Sequence, residues 1–377
     1  MSRNKANIYI GEFLKSQLYS NPSLIFFHYP CSDGLASAAT FIYYGPEDLK
    51  DSPLKELNLE FIEKCYSLND KYVFLPTNFS MNIENYKMAI EYIAKLTKLK
   101  NETTINLIFL DFFPYVLLEH INFFRDFLLS LPAQINLYVF DHHETALDFY
   151  AKFLEDDKKN KELHKIFNNI IIYISPEYKH MCGALTFASA IVNNDMDKIP
   201  AALLYINDFD IGVWKYREKS EPFNHYFDSY LNNGIEFIQN FIKALNDKNY
   251  LDYAIETGRL LKTFNDRKLE NIIENLDKYL HYVKFKNKEL NIIVPCINAG
   301  LFEYKSHLAE LIFTKTDLKI IGLYNIVNNN GNLQVIFSFR SKDNSARMIA
   351  EKLGGGGHNK ASGAIIPLSD LEFLPNF

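Results

Sequence analysis

Cysteine is scarce in this chain of 377 residues, and the few cysteines that occur lie far apart in the sequence. None of the four has the Cys-x-x-Cys spacing; they are Cys31, Cys65, Cys182 and Cys296. A disulfide framework needs numerous cysteines and a structural zinc knuckle needs closely spaced ones, so the sequence indicates neither. These residues are typical of reduced thiols inside a cell.

Long apolar runs and an excess of positive charge are also missing. No run reaches membrane-spanning length, and no apolar signal core follows residues 1–5. We therefore expect a cytoplasmic protein with no membrane partner. The formal net charge of -6 argues against electrostatic wrapping of long duplex nucleic acid. It leaves room for a local basic pocket and suits a site that concentrates divalent cations.

The first half of the sequence alternates strand-like and helix-like patterns. Short apolar runs predict strands, and small-residue or amphipathic segments between them predict helices. The predicted strands are 24–27, 72–75, 105–110, 135–140 and 170–174; the predicted helices include 34–41, 83–99 and 183–193. This alternation favours an α/β fold with a mainly parallel, doubly wound sheet.

The pattern changes towards the end of the chain. Residues 226–282 have apolar positions at helical spacing, which predicts a helical connector or subdomain. Strands are predicted at 292–297, 320–324 and 333–337, and the asparagine-rich segment 328–332 predicts a hairpin between the last two. We therefore predict a catalytic domain over 1–215, a helical connector over 216–287 and a smaller α/β domain over 288–377.

The most informative segment is Asp141-His142-His143, which directly follows the predicted strand 135–140. Open α/β sheets place their ligand sites at the carboxyl ends of their strands. Burying three ionisable groups at that edge is costly unless a partner stabilises them. Since two adjacent histidines are weak evidence alone, other segments of the same kind decide the interpretation.

Several acidic and imidazole side chains occur in similar positions. His28 and Asp111 each follow a predicted strand, and Asp33 lies in the turn that leads from His28 into a helix. Asp208 ends an apolar helical stretch, and Asp210 is a less secure candidate two residues later. Together these groups predict a centre for one or two Mn²⁺ ions, with Mg²⁺ as the alternative, because carboxylates and imidazoles suit these cations.

Each of these residues also has a purely structural interpretation. Asp33 could be a helix N-cap, and Asp111 could be a polar residue that ends a strand. Asp208 could be an acid at a helix C-terminus, although negative charge there opposes the helix dipole. The combination of several such segments favours the metal centre.

A second set of polar groups lies near the end of the sequence. Four consecutive glycines, residues 354–357, precede His358, and their backbone N–H groups could form a nest for an anion. Arg340 ends a predicted strand upstream, where its guanidinium could bind a phosphate bidentately. The glycines alone are more typical of a flexible loop; with Arg340 and His358 they predict an anion pocket.

Taken in order, these motifs resemble the DHH phosphoesterase superfamily, and the tail Gly-Gly-Gly-His-x-x-Ala-Ser-Gly resembles its associated DHHA1-type domain. The resemblance covers nearly the whole chain. It implies two domains and Mn²⁺-dependent hydrolysis of phosphodiester, phosphomonoester or phosphoanhydride bonds. Members usually have an aspartate where this chain has Cys31, whose thiolate is a softer ligand.

The resemblance also implies a role for each matching residue. Asp33, Asp111, His142 and Asp208 would bind one metal, and Asp111 would bridge to a second metal held by His28. His143 would lie behind the metal ligands or would contact the substrate phosphate. The implied catalytic residues are Asp111, His142 and His143. The implied substrate-anchoring residues are Arg340, Gly356, Gly357 and His358.

We therefore expect an enzyme, a monomer or homodimer, in which a metal-bound hydroxide attacks a small nucleotide substrate. The expected substrates are a short single-stranded oligoribonucleotide, a linear dinucleotide or a nucleotide bisphosphate. One alternative is an inorganic pyrophosphatase or polyphosphatase, although the expected Ser-Arg-Lys-Lys-like signature is missing from the sequence. The other is a sensor that binds a nucleotide without hydrolysing it, because Cys31 impairs metal binding.

Overall fold

The computed structural model describes residues 2–59, 62–78, 81–96, 103–174, 181–286, 292–300, 305–329 and 331–374. The chain divides into two compact units, Met1–Leu261 and Lys262–Phe377. The sequence predicts domain boundaries at 215 and 287. These boundaries differ from the division into two units and stay a prediction. Among the described helices, none has both the length and the apolar character needed to cross a bilayer.

The first unit is built on a seven-stranded sheet. In chain order its strands are β1 (Ser23–His28), β2 (Lys55–Leu59), β3 (Ile62–Leu68), β4 (Tyr72–Thr77), β5 (Thr103–Leu110), β6 (Ala133–Phe140) and β7 (Asn169–Tyr173). Their order across the sheet is β2-β3-β4-β1-β5-β6-β7. The five strands from β4 to β7 in that order are parallel, and β2 and β3 pair antiparallel at one side. The predicted α/β, mainly parallel sheet is confirmed, whereas β2 and β3 were not predicted.

Helices cover both faces of this sheet. They are α1 (Ser2–Ser20), α2 (Ser32–Tyr44), α3 (Glu47–Lys50), α4 (Ile83–Leu96), α5 (Tyr115–Glu119), α6 (Ile121–Ser130), α7 (Glu144–Glu155), α8 (Asp157–Ile166), α9 (Gly183–Ile191), α10 (Ala201–Asp210), α11 (Arg217–Asp228), α12 (Gly234–Asn246) and α13 (Lys248–Glu274), within which the boundary of the units falls. Alternate residues of β1 enter different cores: Ile25 and Phe27 pack in one, Leu24 and Phe26 in the other. The sheet is therefore doubly wound, and its strands are apolar on both faces. The part of predicted helix 83–99 beyond residue 96 lies outside the described residues.

The register of the central strands determines where the functional residues lie. Phe27 of β1 is beside Leu110 of β5, and Leu110 is beside Phe140 of β6. Because these strands are parallel and in step, the residues that follow them emerge at the same edge of the sheet.

The second unit contains another seven-stranded sheet, which is mainly antiparallel. Its strands are β8 (His281–Phe285), β9 (Ile293–Asn298), β10 (Ile320–Asn329), β11 (Asn332–Ser341), β12 (Gly356–Gly357), β13 (Ala361–Pro367) and β14 (Leu371–Leu374), in the order β12-β13-β11-β10-β9-β8-β14. Its helices are α14 (Leu276–Tyr279), α15 (Lys305–Lys315) and α16 (Ser345–Lys352). The predicted hairpin is confirmed, since Asn329 pairs with Asn332. The predicted helical segment ends earlier than expected, because β8 begins at His281.

Candidate metal centre

Four acidic and imidazole side chains meet at the carboxyl edge of the first sheet. His28 ends β1, Asp111 follows β5, and His142 and His143 follow β6. The Nε2 atom of His142 lies 3.2 Å from Oδ1 of Asp111. The Nδ1 atom of His28 lies 3.4 Å from Oδ2 of the same carboxylate. Asp111 is therefore between the two imidazoles and almost completely buried, at 1% exposure.

Two groups of ligand atoms share Asp111. One consists of Asp33, Asp111 and His142, and the other of His28, Asp111 and His143; within each group the atoms lie within 4.8 Å of one another. Asp111 is common to both groups, with Oδ1 near His142 and Oδ2 near His28. The structure thus brings together five of the residues that the sequence singled out.

The backbone at Asp111 has an unusual conformation that directs its side chain into the centre. Its φ is +54°, in the left-handed region that few residues other than glycine adopt. Helix α9 approaches closely here: a Cβ atom at Gly183 would lie 2.5 Å from the Cβ of Asp111. Only glycine can occupy position 183 without displacing Asp111. Such strained residues are concentrated at functional sites.

The donor set fits a divalent cation. Neither carboxylate oxygen of Asp111 accepts an aligned hydrogen bond from the described residues, although both are buried. The two nearby imidazoles stabilise this buried carboxylate in part, and a cation is one of the few other groups that can compensate its burial. Burial alone would raise the pKa of Asp111, but His142 and His28 hold it well below its ordinary value.

The charges around His142 also favour a bound cation. Burial opposes its protonation, yet Asp111, Asp210 and Asp33 raise its pKa to about 10. Burial and the neighbouring Asp111 raise the pKa of Asp33 well above its ordinary value. The site therefore contains more negative charge than its histidines balance, and a bound cation would relieve this repulsion.

Asp33 has a second function in the structure. It lies in the first turn of α2, but Cys31 is the residue that precedes this helix at the N-cap position. The Asp33 carboxylate accepts hydrogen bonds from the N–H groups of Gly183 (2.5 Å) and Ala184 (2.9 Å), at the start of α9. Its Oδ2 atom also lies 3.6 Å from Nε2 of His142. Asp33 thus joins the start of α9 to the ligand group.

Asp208 and Asp210 have different environments. The carboxylate of Asp208 accepts hydrogen bonds from the N–H of Lys215 (2.6 Å), the N–H of Tyr216 (3.0 Å) and the hydroxyl of Ser220 (2.6 Å). Asp210 instead places Oδ2 at 3.7 Å from Nε2 of His142. The structure thus brings Asp210 to the metal centre and Asp208 into the connection between α10 and α11. Positions two apart on a helix point about 200° apart, so only one of the two can face the centre.

Asp141 positions the histidines, a role that the sequence analysis did not assign. Its Oδ1 accepts the N–H of His142 at 2.8 Å and lies 2.7 Å from Nδ1 of His143. Burial would lower the pKa of His143, but Asp141 raises it. A carboxylate at Nδ1 favours the proton on that nitrogen and directs Nε2 outward. The position of Asp141 directly before the two histidines was the feature of the sequence that could have indicated this role.

Two thiols lie beside the centre. Burial, with Asp111 as the next contribution, raises the pKa of Cys31 well above its ordinary value. Burial and Asp33 do the same for Cys182, the residue before α9. Among the described residues, the ligand groups contain no cysteine. Each group thus has three candidate ligands without the softer thiolate of Cys31.

The predicted anion-binding residues lie in the second unit. Arg340 donates hydrogen bonds from Nε to the hydroxyl of Ser306 (3.1 Å) and from Nη1 to the carbonyl of Phe339 (3.0 Å). Burial lowers its pKa to about 10. A pocket of about 350 Å³ adjoins it, and its lining includes Lys342, Lys360 and Phe313. This pocket combines several cations with an aromatic ring.

The four glycines at 354–357 contact α16 and β13 through their backbone. The N–H groups of Gly354 and Gly355 donate to carbonyl oxygens of α16, and Gly356 and Gly357 pair with β13 as strand β12. The N–H groups of Gly354 and Gly355 are thus bound to α16, and the predicted contact of Gly356 and Gly357 with an anion stays a prediction. His358 lies in the turn that leads into β13, where its N–H donates to the carbonyl of Ala361 at 2.8 Å.

The same turn adjoins Arg340. Ala361 is the register partner of Arg340, so Arg340, Gly357 and His358 lie at the same end of the second sheet. The structure therefore brings the predicted substrate-anchoring residues together within their own unit.

Comparison with known proteins gives structural matches only. No family model and no curated protein sequence matches the chain. It is similar to an exopolyphosphatase-related protein from Bacteroides fragilis (16% identity, TM-score 0.41, 96% of this chain and 91% of that chain covered). It is also similar to the exonuclease RecJ bound to manganese (12%, 0.44, 96% and 91%). A third match is a pGpG-specific phosphodiesterase from Vibrio cholerae (11%, 0.36, 92% and 94%). The family resemblance itself rests on the motifs of this chain.

Proposed function

We propose that this chain is a divalent-metal-dependent phosphoesterase of the DHH type that hydrolyses a small nucleotide. The observation that carries the proposal is the buried carboxylate of Asp111, which is shared by two ligand groups and accepts no aligned hydrogen bond from the described residues. A buried carboxylate that accepts no aligned hydrogen bond contributes little to the stability of the fold. As a ligand shared by two metal sites, the same carboxylate would contribute to catalysis.

In this proposal Asp33, Asp111, His142 and Asp210 would hold one ion, and His28 and Asp111 would hold a second, with His143 beside it. Asp210 takes the place for which the sequence suggested Asp208, because its oxygen lies near His142. Bound Mn²⁺ or Mg²⁺ would supply Lewis-acid catalysis and would activate water for attack on phosphorus.

The protein's own groups orient the reaction. Asp141 holds the proton of His143 on Nδ1, so Nε2 is the atom that can contact a phosphate oxygen or transfer a proton. Asp33 and α9 hold the ligand group rigid through the two hydrogen bonds to the start of the helix. In the second unit, Arg340 and His358 bind a terminal phosphate, and the lysines of the adjoining pocket add charge.

The test is hydrolysis of a labelled, 5′-phosphorylated diadenylate by the purified protein with Mn²⁺. Release of mononucleotide that stops with a chelator and resumes with Mn²⁺ is the expected result. Inorganic pyrophosphate is assayed in parallel. Phosphate released from pyrophosphate alone would support the pyrophosphatase alternative, and no product from any dinucleotide, oligonucleotide or nucleotide bisphosphate would overturn the proposal.

The sensor alternative has one specific observation in its favour, namely Cys31 beside Asp33 and Asp111. Measuring bound metal separates the two functions. Two Mn²⁺ ions per chain support catalysis, whereas no bound metal with retained nucleotide binding supports a sensor. The variant Cys31→Asp sharpens the result, because added activity would show that the thiol limits metal binding.

A further inference from the structure

The loop that follows the metal centre contains the only tryptophan of the chain, Trp214. We propose that the indole ring of Trp214 stacks on a nucleobase of the substrate, and so makes this site select nucleotides over inorganic phosphates. The proposal rests on the proposed function and adds a base-binding subsite to it.

Trp214 is close to the metal centre along the chain, and this bounds its distance from the centre. It follows Asp210, whose carboxylate lies 3.7 Å from His142, by four residues. Four residues span at most about 14 Å when extended. The chain is shorter than that here, because hydrogen bonds fold it back: the N–H of Gly212 donates to the carbonyl of Phe209, and the N–H of Val213 to that of Asp208. The indole Nε1 lies 3.6 Å from the position that a Cβ atom of Gly212 would take.

The backbone holds Trp214 in a conformation that a bulky residue rarely adopts. Its φ is +59°, and the preceding glycine, Gly212, also has a positive φ of +65°. The next two residues, Lys215 and Tyr216, donate their N–H groups to the buried carboxylate of Asp208. Asp208 thus forces the turn that presents Trp214. An observed outlier of this kind is a reason to look for a function.

The indole ring is in contact with its neighbours but not covered by them. Phe209 meets the indole edge-on, with centroids 5.6 Å apart at 83°. The guanidinium carbon of Arg217 lies 4.9 Å from the ring centroid. Trp214 remains 37% exposed, so part of its surface can accept a planar ligand. The neighbouring Val213 is 53% exposed, so the loop does not bury its apolar side chains in a core.

A tryptophan with an arginine beside it is suited to nucleotides. Aromatic rings stack on any base because every base has a π-face. The guanidinium of Arg217, whose Nε also lies 3.5 Å from Oε2 of Glu221, adds a cation beside the ring. An inorganic phosphate or pyrophosphate has no ring and would gain nothing from Trp214. The loop therefore supplies the recognition of the base, and the metal centre the reaction at phosphorus.

Since Trp214 is the sole tryptophan, the intrinsic fluorescence of the whole protein reports on this position. The protein is titrated in chelator with the 5′-phosphorylated diadenylate and, separately, with the same compound lacking both bases. We expect the diadenylate to quench the emission and the abasic compound to leave it unchanged. Equal responses to the two ligands would contradict the stacking.

Kinetics with Mn²⁺ provide the second measurement. Trp214→Leu should raise KM for the diadenylate about tenfold and leave KM for the abasic dinucleotide unchanged. Trp214→Phe retains a ring and should keep most of the affinity. Phe13→Leu, which removes another exposed aromatic side chain from the first unit, is the matched control. The melting temperature of each variant shows whether it is folded.

The outcomes separate this proposal from the proposed function. Base-dependent quenching without hydrolysis of any substrate would overturn the phosphoesterase proposal and retain the subsite. Hydrolysis that Trp214→Leu slows equally for the normal and the abasic dinucleotide would overturn the subsite and retain the phosphoesterase.

Discussion

The metal centre of the first unit and the Arg340 pocket of the second unit handle charge in opposite ways. In the first unit, acids converge at a buried sheet edge, and Asp111 is only 1% exposed. In the second unit, Arg340 and the nearby lysines line a pocket of about 350 Å³. The first site concentrates negative charge, which suits metal-assisted chemistry, and the second concentrates positive charge, which suits a substrate phosphate. We therefore expect the first site to determine the rate of reaction and the second the binding of substrate.

The largest effect is expected at Asp111. Asp111→Asn removes the shared negative charge, and we expect kcat to fall about thousandfold, because metal ions supply several kcal/mol of transition-state stabilisation. Asparagine tolerates the positive φ of this position, so the variant should fold. Steady-state kinetics and the content of bound Mn²⁺ are measured together. Near-normal activity with two bound ions would show that Asp111 bridges nothing.

A paired experiment separates the two acids of α10. Asp210→Asn should weaken Mn²⁺ binding by about a hundredfold and leave the stability of the metal-free protein unchanged or higher, since it removes repulsion with Asp33 and Asp111. Asp208→Asn should retain the affinity for Mn²⁺ but lower the free energy of unfolding by about 2 kcal/mol, because its carboxylate accepts three hydrogen bonds.

Isothermal titration with Mn²⁺ and urea unfolding measure these two quantities for both variants. The reverse pattern, with metal affinity lost in Asp208→Asn and stability lost in Asp210→Asn, would restore Asp208 as the ligand that the sequence suggested.

The smallest effect is expected in the second unit. Arg340→Lys keeps the positive charge but loses the fork that binds phosphate bidentately, so KM should rise about tenfold with kcat little changed. Arg267→Lys, at an exposed position of α13 in the same unit, is the matched control. A fall in kcat without a change in KM would assign Arg340 to the reaction and remove the contrast between the two units.

Sequence patterns were sufficient for much of the fold and of the site. The apolar runs before His28, Asp111 and Asp141 predicted parallel strands, and in such a sheet the residues after neighbouring strands must meet at one edge. Strands β2 and β3 were missed because 55–68 mixes charged and apolar residues without regular alternation. The sequence did not show that α16 accepts the N–H groups of Gly354 and Gly355, whereas the role predicted for Gly356 and Gly357 stays a prediction.

Only the tertiary structure showed which of two neighbouring residues faces the metal centre. Asp208 and Asp210 are the same residue type and lie two positions apart, so the sequence does not distinguish them. Only the rotation of α10 against the sheet decides which carboxylate faces His142. The same applies to Trp214, whose exposure results from a turn that Asp208 holds in place.

The sequence alone determined which chemical groups are present and that several of them follow strands, because strand formation and the side-chain chemistry are local properties. The tertiary structure decided that Asp111 lies between two ligand groups, that Asp141 positions His143, and that Asp210 reaches the centre. These outcomes depend on distances of a few ångströms between residues far apart in the chain, and only the packing of helices against the sheet defines those distances.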